Sequence, residues 1–222
     1  MAFFIAPLAS VMAMPDSAFQ EVGTANLSFY SSGSIGATIG VLEKNHVKAE
    51  VEFDYSLKSP QTFGMAAKAG FDECAFSQYS PSFAVGTFGS DIRSKGELAT
   101  TPNVLFAVIG KSFFESRIHA GVFKGNSTMG KERDGAFVGF TQHLLVEKVD
   151  KNHKRSRLDL CAEYVTGKSS LAGAKVELRY LISDRYSIKT GPSWSFYKAT
   201  VPETKKWDLK KMRWLVSFSV NI

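Results

Sequence analysis

Cysteine is scarce in this chain, and its positions do not form a motif. Cys74 and Cys161 are the two cysteines among 222 residues, they lie far apart, and neither has CxxC spacing or a histidine at zinc-ligand distance in sequence. The sequence therefore predicts no disulfide framework and no metal site. Cys161 falls within an alternating segment, where a small side chain is the ordinary interpretation.

Long hydrophobic runs are also missing. The apolar stretch Ala2–Ala13 is the most extended candidate, and it is shorter than the roughly 20 residues of a transmembrane helix. It ends in Val11-Met12-Ala13, with small residues where signal peptidase reads, so we interpret it as the h-region and cleavage site of a secretory signal without a basic n-region. The alternative is an apolar N-terminal strand or a buried plug. Residues 1–20 are thus predicted to be a signal-peptide remnant or N-terminal segment.

The charge excess is small. Lys and Arg total 27 against 21 Asp and Glu, which gives a net charge of +6 and a pI of about 9.2 without a dense basic arm. Nucleic-acid binding would require stacking aromatics interleaved with a basic face, an arrangement that is absent beyond Trp207. The sequence therefore predicts no nucleic-acid partner.

A period of two dominates the chain after about residue 20. In Val47–Lys58 apolar residues at odd positions alternate with polar or charged ones, and residues 157–164, 174–180 and 213–222 repeat this pattern. No segment shows a 3.6-residue period of more than two turns. Eight weaker strand candidates fill the intervals: Thr24–Ser31, Ser34–Leu42, Phe63–Phe71, Ser82–Phe88, Asn103–Lys111, Arg117–Phe123, Gly135–Leu145 and Tyr186–Tyr197.

About twelve strands joined by hairpin-length links predict an all-β protein. We expect residues 21–222 to form a single antiparallel up-and-down β-barrel, because closure removes the sheet edges. Two links, 72–81 and 147–156, are longer than this pattern favours and mark where the strand count is most open.

Alternation alone does not say which face of the barrel is apolar. A soluble barrel of about eight strands is filled by its apolar face, whereas twelve strands enclose a wider interior. Export, aromatic residues near strand ends and strand lengths near 9 to 11 residues favour an apolar face turned to lipid. The polar face would then surround a lumen lined by Lys48, Glu50, Glu52, Asp54, Asp159, Glu163, Lys175, Glu177, Arg179, Lys189 and Arg213.

The last strand carries a resemblance to a known family. Trp214, Val216, Phe218, Val220 and Ile222 resemble the alternating C-terminal segment by which the barrel-assembly machinery recognises bacterial outer-membrane β-barrel proteins. The family pattern ends in an aromatic residue, whereas this chain ends in Ile222. The resemblance implies a transmembrane barrel in the outer membrane of a Gram-negative bacterium. It also implies outer-membrane lipids, lipopolysaccharide and the barrel-assembly machinery as partners.

This interpretation predicts a narrow passive channel for small polar solutes, or a structural barrel, with no catalytic residue and no cofactor. Acidic and basic residues nearly balance in the expected lumen, which predicts low conductance without strong ion selectivity. The first alternative is an exported soluble β-barrel that binds a hydrophobic ligand. A second is an outer-membrane lipid hydrolase, which would require His119 or His143 beside a serine.

Overall fold

A computed structural model describes the greater part of the chain. The predicted signal and the segments 149–153 and 197–211 fall outside the described residues. The residues that the structure describes are 17–57, 63–90, 103–126, 133–148, 154–167, 169, 171–196 and 212–222.

Twelve strands make up the described fold, one for each predicted segment. The strands are β1 (Ala25–Tyr30), β2 (Ser34–Lys44), β3 (Val47–Ser56), β4 (Phe63–Phe71), β5 (Ser82–Ser90), β6 (Val104–Phe113), β7 (Ser116–Gly125), β8 (Asp134–Lys148), β9 (Lys154–Val165), β10 (Gly173–Leu181), β11 (Tyr186–Ser195) and β12 (Met212–Asn221).

Each strand pairs antiparallel with its neighbours in sequence, and β1 pairs with β12 to close the barrel. Two backbone hydrogen bonds join the first strand to the last residue. The Ala25 amide donates to the Ile222 carbonyl at 3.0 Å, and the Ile222 amide donates to the Ala25 carbonyl at 2.8 Å. The prediction of a closed, all-β, up-and-down barrel of twelve strands is confirmed. The described residues include no helix long and apolar enough to span a membrane.

The barrel has two distinct ends. We call the end that holds residues 25 and 222 the terminal end, and the opposite one the far end. Two-residue hairpin links, 45–46 and 114–115, lie at the terminal end. Asn45 and His46 both have positive φ, 51° and 68°, as a type I′ hairpin turn requires. Long links 91–103 and 196–211 belong to the far end.

The two predicted links that are longer than the hairpin pattern favours, 72–81 and 147–156, differ in the structure. Residues 72–81 form a true link, stabilised by a 3.0 Å hydrogen bond from the Cys74 amide to the Ser80 carbonyl. In contrast, β8 and β9 extend into 147–156 from both sides and leave only 149–153 between them. The extension passes register irregularities between His143 and Val146.

Side-chain exposure alternates along the strands, as a barrel wall requires. On β5, Ser82 and Ala84 are 1% and 0% exposed, while Phe83 and Val85 are 40% and 45% exposed. In a closed barrel the buried face is the interior, so the exposed apolar side chains form the outer surface. Leu178, Tyr180, Val216 and Phe218 belong to this outer surface, and Val51, Phe53 and Tyr55 are half-buried on the same face of β3.

An apolar cluster fills part of the interior, a feature that the charged-lumen interpretation does not predict. Leu171, from the link between β9 and β10, is fully buried and anchors the cluster at the far end. Its other members come from β5 to β9: Ala84, Val104, Phe106, Val108, Phe123, Phe137 and Val165. The interior therefore holds an apolar cluster along β5 to β9, beside polar and charged inner side chains on the same strands, such as Arg117 and Asp159.

Candidate functional site

The chain before β1 enters the barrel at its terminal end. We call residues 17–24 the strap. Ser17 is 0% exposed, and its hydroxyl lies 2.7 Å from the Ser82 hydroxyl. Arg117 donates hydrogen bonds from the same guanidinium nitrogen to Ser17 at 3.0 Å and to Ser82 at 2.9 Å. The start of the strap is thus fixed to the inner wall of β5 and β7.

From Ser17 the strap crosses the inner wall toward β1. Lys68 on β4 donates to the Ala18 carbonyl and lies 5.0 Å above the Phe19 ring. The Gln20 amide donates to the Glu50 carboxylate on β3 at 2.7 Å. The strap therefore covers the inner wall from β5 to β2 and occupies part of the lumen.

Two glycines of the wall make this path possible. A Cβ atom at Gly110 would collide with the Ser17 hydroxyl. A Cβ atom at Gly40 would collide with the backbone carbonyls of Gln20 and Glu21. Only glycine lets the Ser17 side chain at Gly110, and the strap backbone at Gly40, approach the sheet so closely.

Four of the eleven predicted lumen residues lie on β3, all on its inner face. Lys48 forms ion pairs with Asp72 at 2.7 Å and Glu43 at 3.3 Å, at the terminal end. Glu50 forms an ion pair with Lys68 at 3.1 Å. Glu52 and Asp54 continue the same face toward Tyr30 and make this wall acidic.

Five more predicted residues lie together on β9 and β10. Lys175 forms ion pairs with Glu163 at 3.3 Å and Glu177 at 3.0 Å. Asp159 is 2% exposed and accepts a hydrogen bond from Arg179 Nε at 2.7 Å. These five residues are thus joined in two separate ion-pair groups.

The remaining two are Lys189 on β11 and Arg213 on β12. Lys189 is half-buried inside the barrel and stands directly opposite Arg179 in the β10–β11 register. Arg213 is exposed near the far-end start of β12, opposite Ser193. Arg213 is therefore at the rim, apart from the group that surrounds Asp159.

A cavity of about 620 Å³ opens between the strap and the opposite wall. Ala18, Phe19 and Gln20 form its strap side. Its other lining groups come from β1 to β3, the β6–β7 turn and β8 to β12, and are mostly polar: Asn26, Thr38, Glu50, Glu115, His143, Val146, Ser156, Arg179, Leu181, Ser187, Lys189, Ser219 and Asn221. The cavity can accept a small polar solute of either charge, since acidic and basic groups both line it.

The link 72–81 closes the terminal end beside the strap. Glu73 binds Lys111 at 2.9 Å and Arg117 at 3.1 Å, and the Ser112 amide donates to its carboxylate at 3.1 Å. Partial burial by itself raises the pKa of the Glu73 carboxyl, but the hydrogen bonds from Lys111 and Ser112 outweigh it and hold the pKa below its usual value. Arg117 connects this link to the strap.

The two strand histidines have different environments. His119 is buried in the apolar cluster, with its ring centroid 6.3 Å from that of Phe137. His143 Nδ1 lies 2.5 Å from the Asp159 carboxylate, which Arg179 also binds. In the described part of the chain, no serine hydroxyl hydrogen-bonds to His143, and no group of three or more His, Cys, Asp or Glu residues could hold a metal ion.

The sequence pattern does not identify several of these interior residues. Lys68 is the single charged residue of Phe63–Phe71, a signal that could have marked an inward side chain. Glu73 and Arg117 carry no such signal, because their contacts depend on how the link 72–81 and the strap fold back. Leu171 lies in a link without any periodic pattern.

Solved structures of similar fold include membrane proteins. An outer-membrane channel from Pseudomonas putida F1 matches with a TM-score of 0.50 and 9% identity, over 93% of this chain and 97% of that chain. This chain resembles an outer-membrane β-barrel. A membrane protein from work on in-meso crystallization matches with a TM-score of 0.52 and 12% identity, over 91% of this chain and 83% of the other.

The KdgM porin is a weaker match, with a TM-score of 0.49 and 10% identity over 89% of this chain and 96% of that chain. At these identities the similarities establish the fold alone. No protein-family model and no curated protein matches the sequence.

Proposed function

We propose that this protein is a barrel of the bacterial outer membrane whose lumen is a narrow passive channel for small polar solutes. One observation carries the proposal: exposed apolar side chains cover the outside, while charged side chains pair inside around a cavity of about 620 Å³. Lipid solvates an apolar outer surface and water solvates a charged interior, so the arrangement fits a membrane barrel.

Two inserts support a narrow passage. The strap occupies the terminal end, and Leu171 with its apolar cluster occupies one side of the far end. Ion pairs such as Lys175–Glu163 and Arg179–Asp159 further fix side chains inside the barrel. Because these groups narrow the bore and nearly balance in charge, we expect low conductance without steep selectivity for one ion sign.

We expect three partners for a barrel in the outer membrane. Outer-membrane lipids would contact the outer apolar surface, and lipopolysaccharide would contact the far end. The barrel-assembly machinery would bind β12, whose outer face carries Trp214, Val216 and Phe218. Residues 1–13 would act as the secretory signal that starts this route.

The soluble alternative has less support. A barrel that binds a hydrophobic ligand needs its apolar side chains around an interior cavity, yet Leu171 packs into the interior apolar cluster. The cavity beside the strap is lined mainly by polar groups. The hydrolase alternative has the His143–Asp159 pair but lacks a serine on that histidine among the described residues.

Planar-bilayer recordings on the refolded protein test the channel. We expect small openings with weak preference between cations and anions. Large, steady openings with steep ion preference would contradict the balanced and narrowed lumen. Complete silence in wild type would overturn the channel proposal and leave a structural barrel.

A further inference from the structure

We infer that the cavity beside the strap contains a binding site for a small hydroxylated carboxylate, with Lys189 as the cation that holds the carboxylate group. This inference deepens the proposed function, because it names the solute class that the channel would retain. It begins from the pairing of β10 with β11.

The register places Arg179 and Lys189 directly opposite each other. Cβ atoms at such positions are about 4.5 to 5.5 Å apart, and like charges there repel. Arg179 is compensated, because two of its nitrogens bind Asp159. His143 binds the other oxygen of the same carboxylate, so Asp159 has little capacity left for a second cation.

Lys189 has no comparable partner. Its ammonium group makes no ion pair or hydrogen bond with any residue that the structure describes. The carboxylates of Glu52 and Glu177 attract it at longer range, and Glu177 already binds Lys175 at 3.0 Å. Lys189 lines the cavity. A half-buried cation beside a second cation is costly unless an anion approaches, and the cavity is the space from which an anion can approach.

The other cavity groups select the rest of the ligand. Asn26, Thr38, Ser187, Ser219 and Asn221 present amides and hydroxyls on the same wall region, which suit a chain of hydroxyl groups. Glu50 and Glu115 also line the cavity, so a ligand with a second anionic group would meet carboxylates. The site therefore favours a monocarboxylate over a polyanion, and its size is in the range of small-molecule sites.

Gluconate is a suitable probe, and sorbitol is its matched control because it has the same carbon chain without a carboxylate. Isothermal titration of the full-length refolded protein in detergent should show saturable gluconate binding and no sorbitol binding. Inorganic phosphate serves as a third probe, and we expect weaker binding than for gluconate. Phosphate binding that equals or exceeds gluconate binding would overturn the hydroxylated-carboxylate assignment in favour of a general anion site.

Three variants test the residue. Lys189→Gln should weaken gluconate binding by about tenfold or more. Lys189→Arg keeps the positive charge and should retain most of the wild-type affinity for gluconate. Lys124→Gln removes an exposed lysine on β7 and should leave binding unchanged. Thermal unfolding checks the folding of each variant. Because Lys189→Gln removes one of two opposed like charges, we expect its unfolding temperature to be equal to or above that of wild type.

Unchanged gluconate affinity in folded Lys189→Gln, or equal binding of sorbitol, would overturn the site. Results that overturn this binding site can be distinguished from results that overturn the channel proposal. Lys189-dependent gluconate binding by a protein that is silent in bilayers would keep the site and remove the channel. Channel openings in a protein that does not bind gluconate would keep the channel and remove the site.

Discussion

Arg117 donates a hydrogen bond to Ser17 at 3.0 Å, although the two residues are 100 positions apart in sequence. The same guanidinium binds Glu73 at 3.1 Å through its other terminal nitrogen. One side chain therefore joins the strap to the link 72–81. Both elements lie at the terminal end, so this side chain helps to hold the strap inside the lumen, together with Lys68 and Glu50.

Arg117→Gln is expected to loosen the strap. The substitution removes the charged fork that binds Ser17 and Glu73, and the strap should then leave the lumen for part of the time. Bilayer recordings should show more frequent or larger openings than wild type. Arg185→Gln, at an exposed arginine in the link 182–185, is the control. Identical openings in wild type and both variants would show that the strap does not restrict the passage.

Gly40→Ala is expected to displace the strap by another route. Its Cβ atom would collide with the backbone of Gln20 and Glu21, and overpacking of this kind costs about 1 to 3 kcal/mol. Gly64→Ala is a matched control, because its Cβ would meet only the Asp54 Cβ at 3.8 Å. Urea unfolding in lipid vesicles should separate the two variants. Equal unfolding free energies would contradict the close approach of the strap.

Leu178→Arg tests the outer face. Leu178 is exposed near the middle of β10, and an arginine facing the bilayer midplane costs about 2 to 4 kcal/mol. Leu57→Arg makes the same change just beyond β3, where the cost should fall to about 0 to 1 kcal/mol. The difference should appear in unfolding from vesicles. Equal costs at both positions would place Leu178 outside the hydrocarbon layer.

Acid should weaken the terminal end through Glu73. Its pKa in the folded protein lies below the ordinary value near 4.3, so the folded state favours the ionised form. The resulting stability is fully present above the unfolded-state pKa and is lost as pH falls through the folded-state pKa. Glu73→Gln should reduce the loss of stability below about pH 4, as measured by urea midpoints against pH. Glu21→Gln, at an exposed strap residue, is the control and should keep the wild-type acid dependence. If Glu73→Gln also kept the wild-type acid dependence, the Glu73 carboxylate would not contribute to acid sensitivity.

The strands could be predicted because their information is local. On β3, Glu50, Glu52 and Asp54 alternate with apolar residues, so a single strand already indicates its two faces. The apolar cluster could not be predicted in this way. Val104–Ile109 on β6 is apolar on both faces, since one face meets the exterior and the other meets Leu171 and its neighbours, and periodicity disappears when both faces are apolar.

The candidate site was predictable in composition but not in pairing. Alternation selects Asp159, Arg179 and Lys189 as inward residues. The ion pair of the first two, and the lack of an ion pair at Lys189 among the described residues, depend on register. The strap depends on still more distant contacts. Ser17 and Gln20 have no periodic pattern, and their partners Arg117 and Glu50 belong to separate strands.

Membrane fractionation tests the central claim most directly. The full-length protein, expressed in a Gram-negative host, should sediment with the outer membrane, remain there after an alkaline wash and enter solution only with detergent. This result follows if the exposed apolar side chains contact lipid. Recovery of a soluble, monodisperse protein without detergent would contradict the account, because its apolar outer surface would then be facing water.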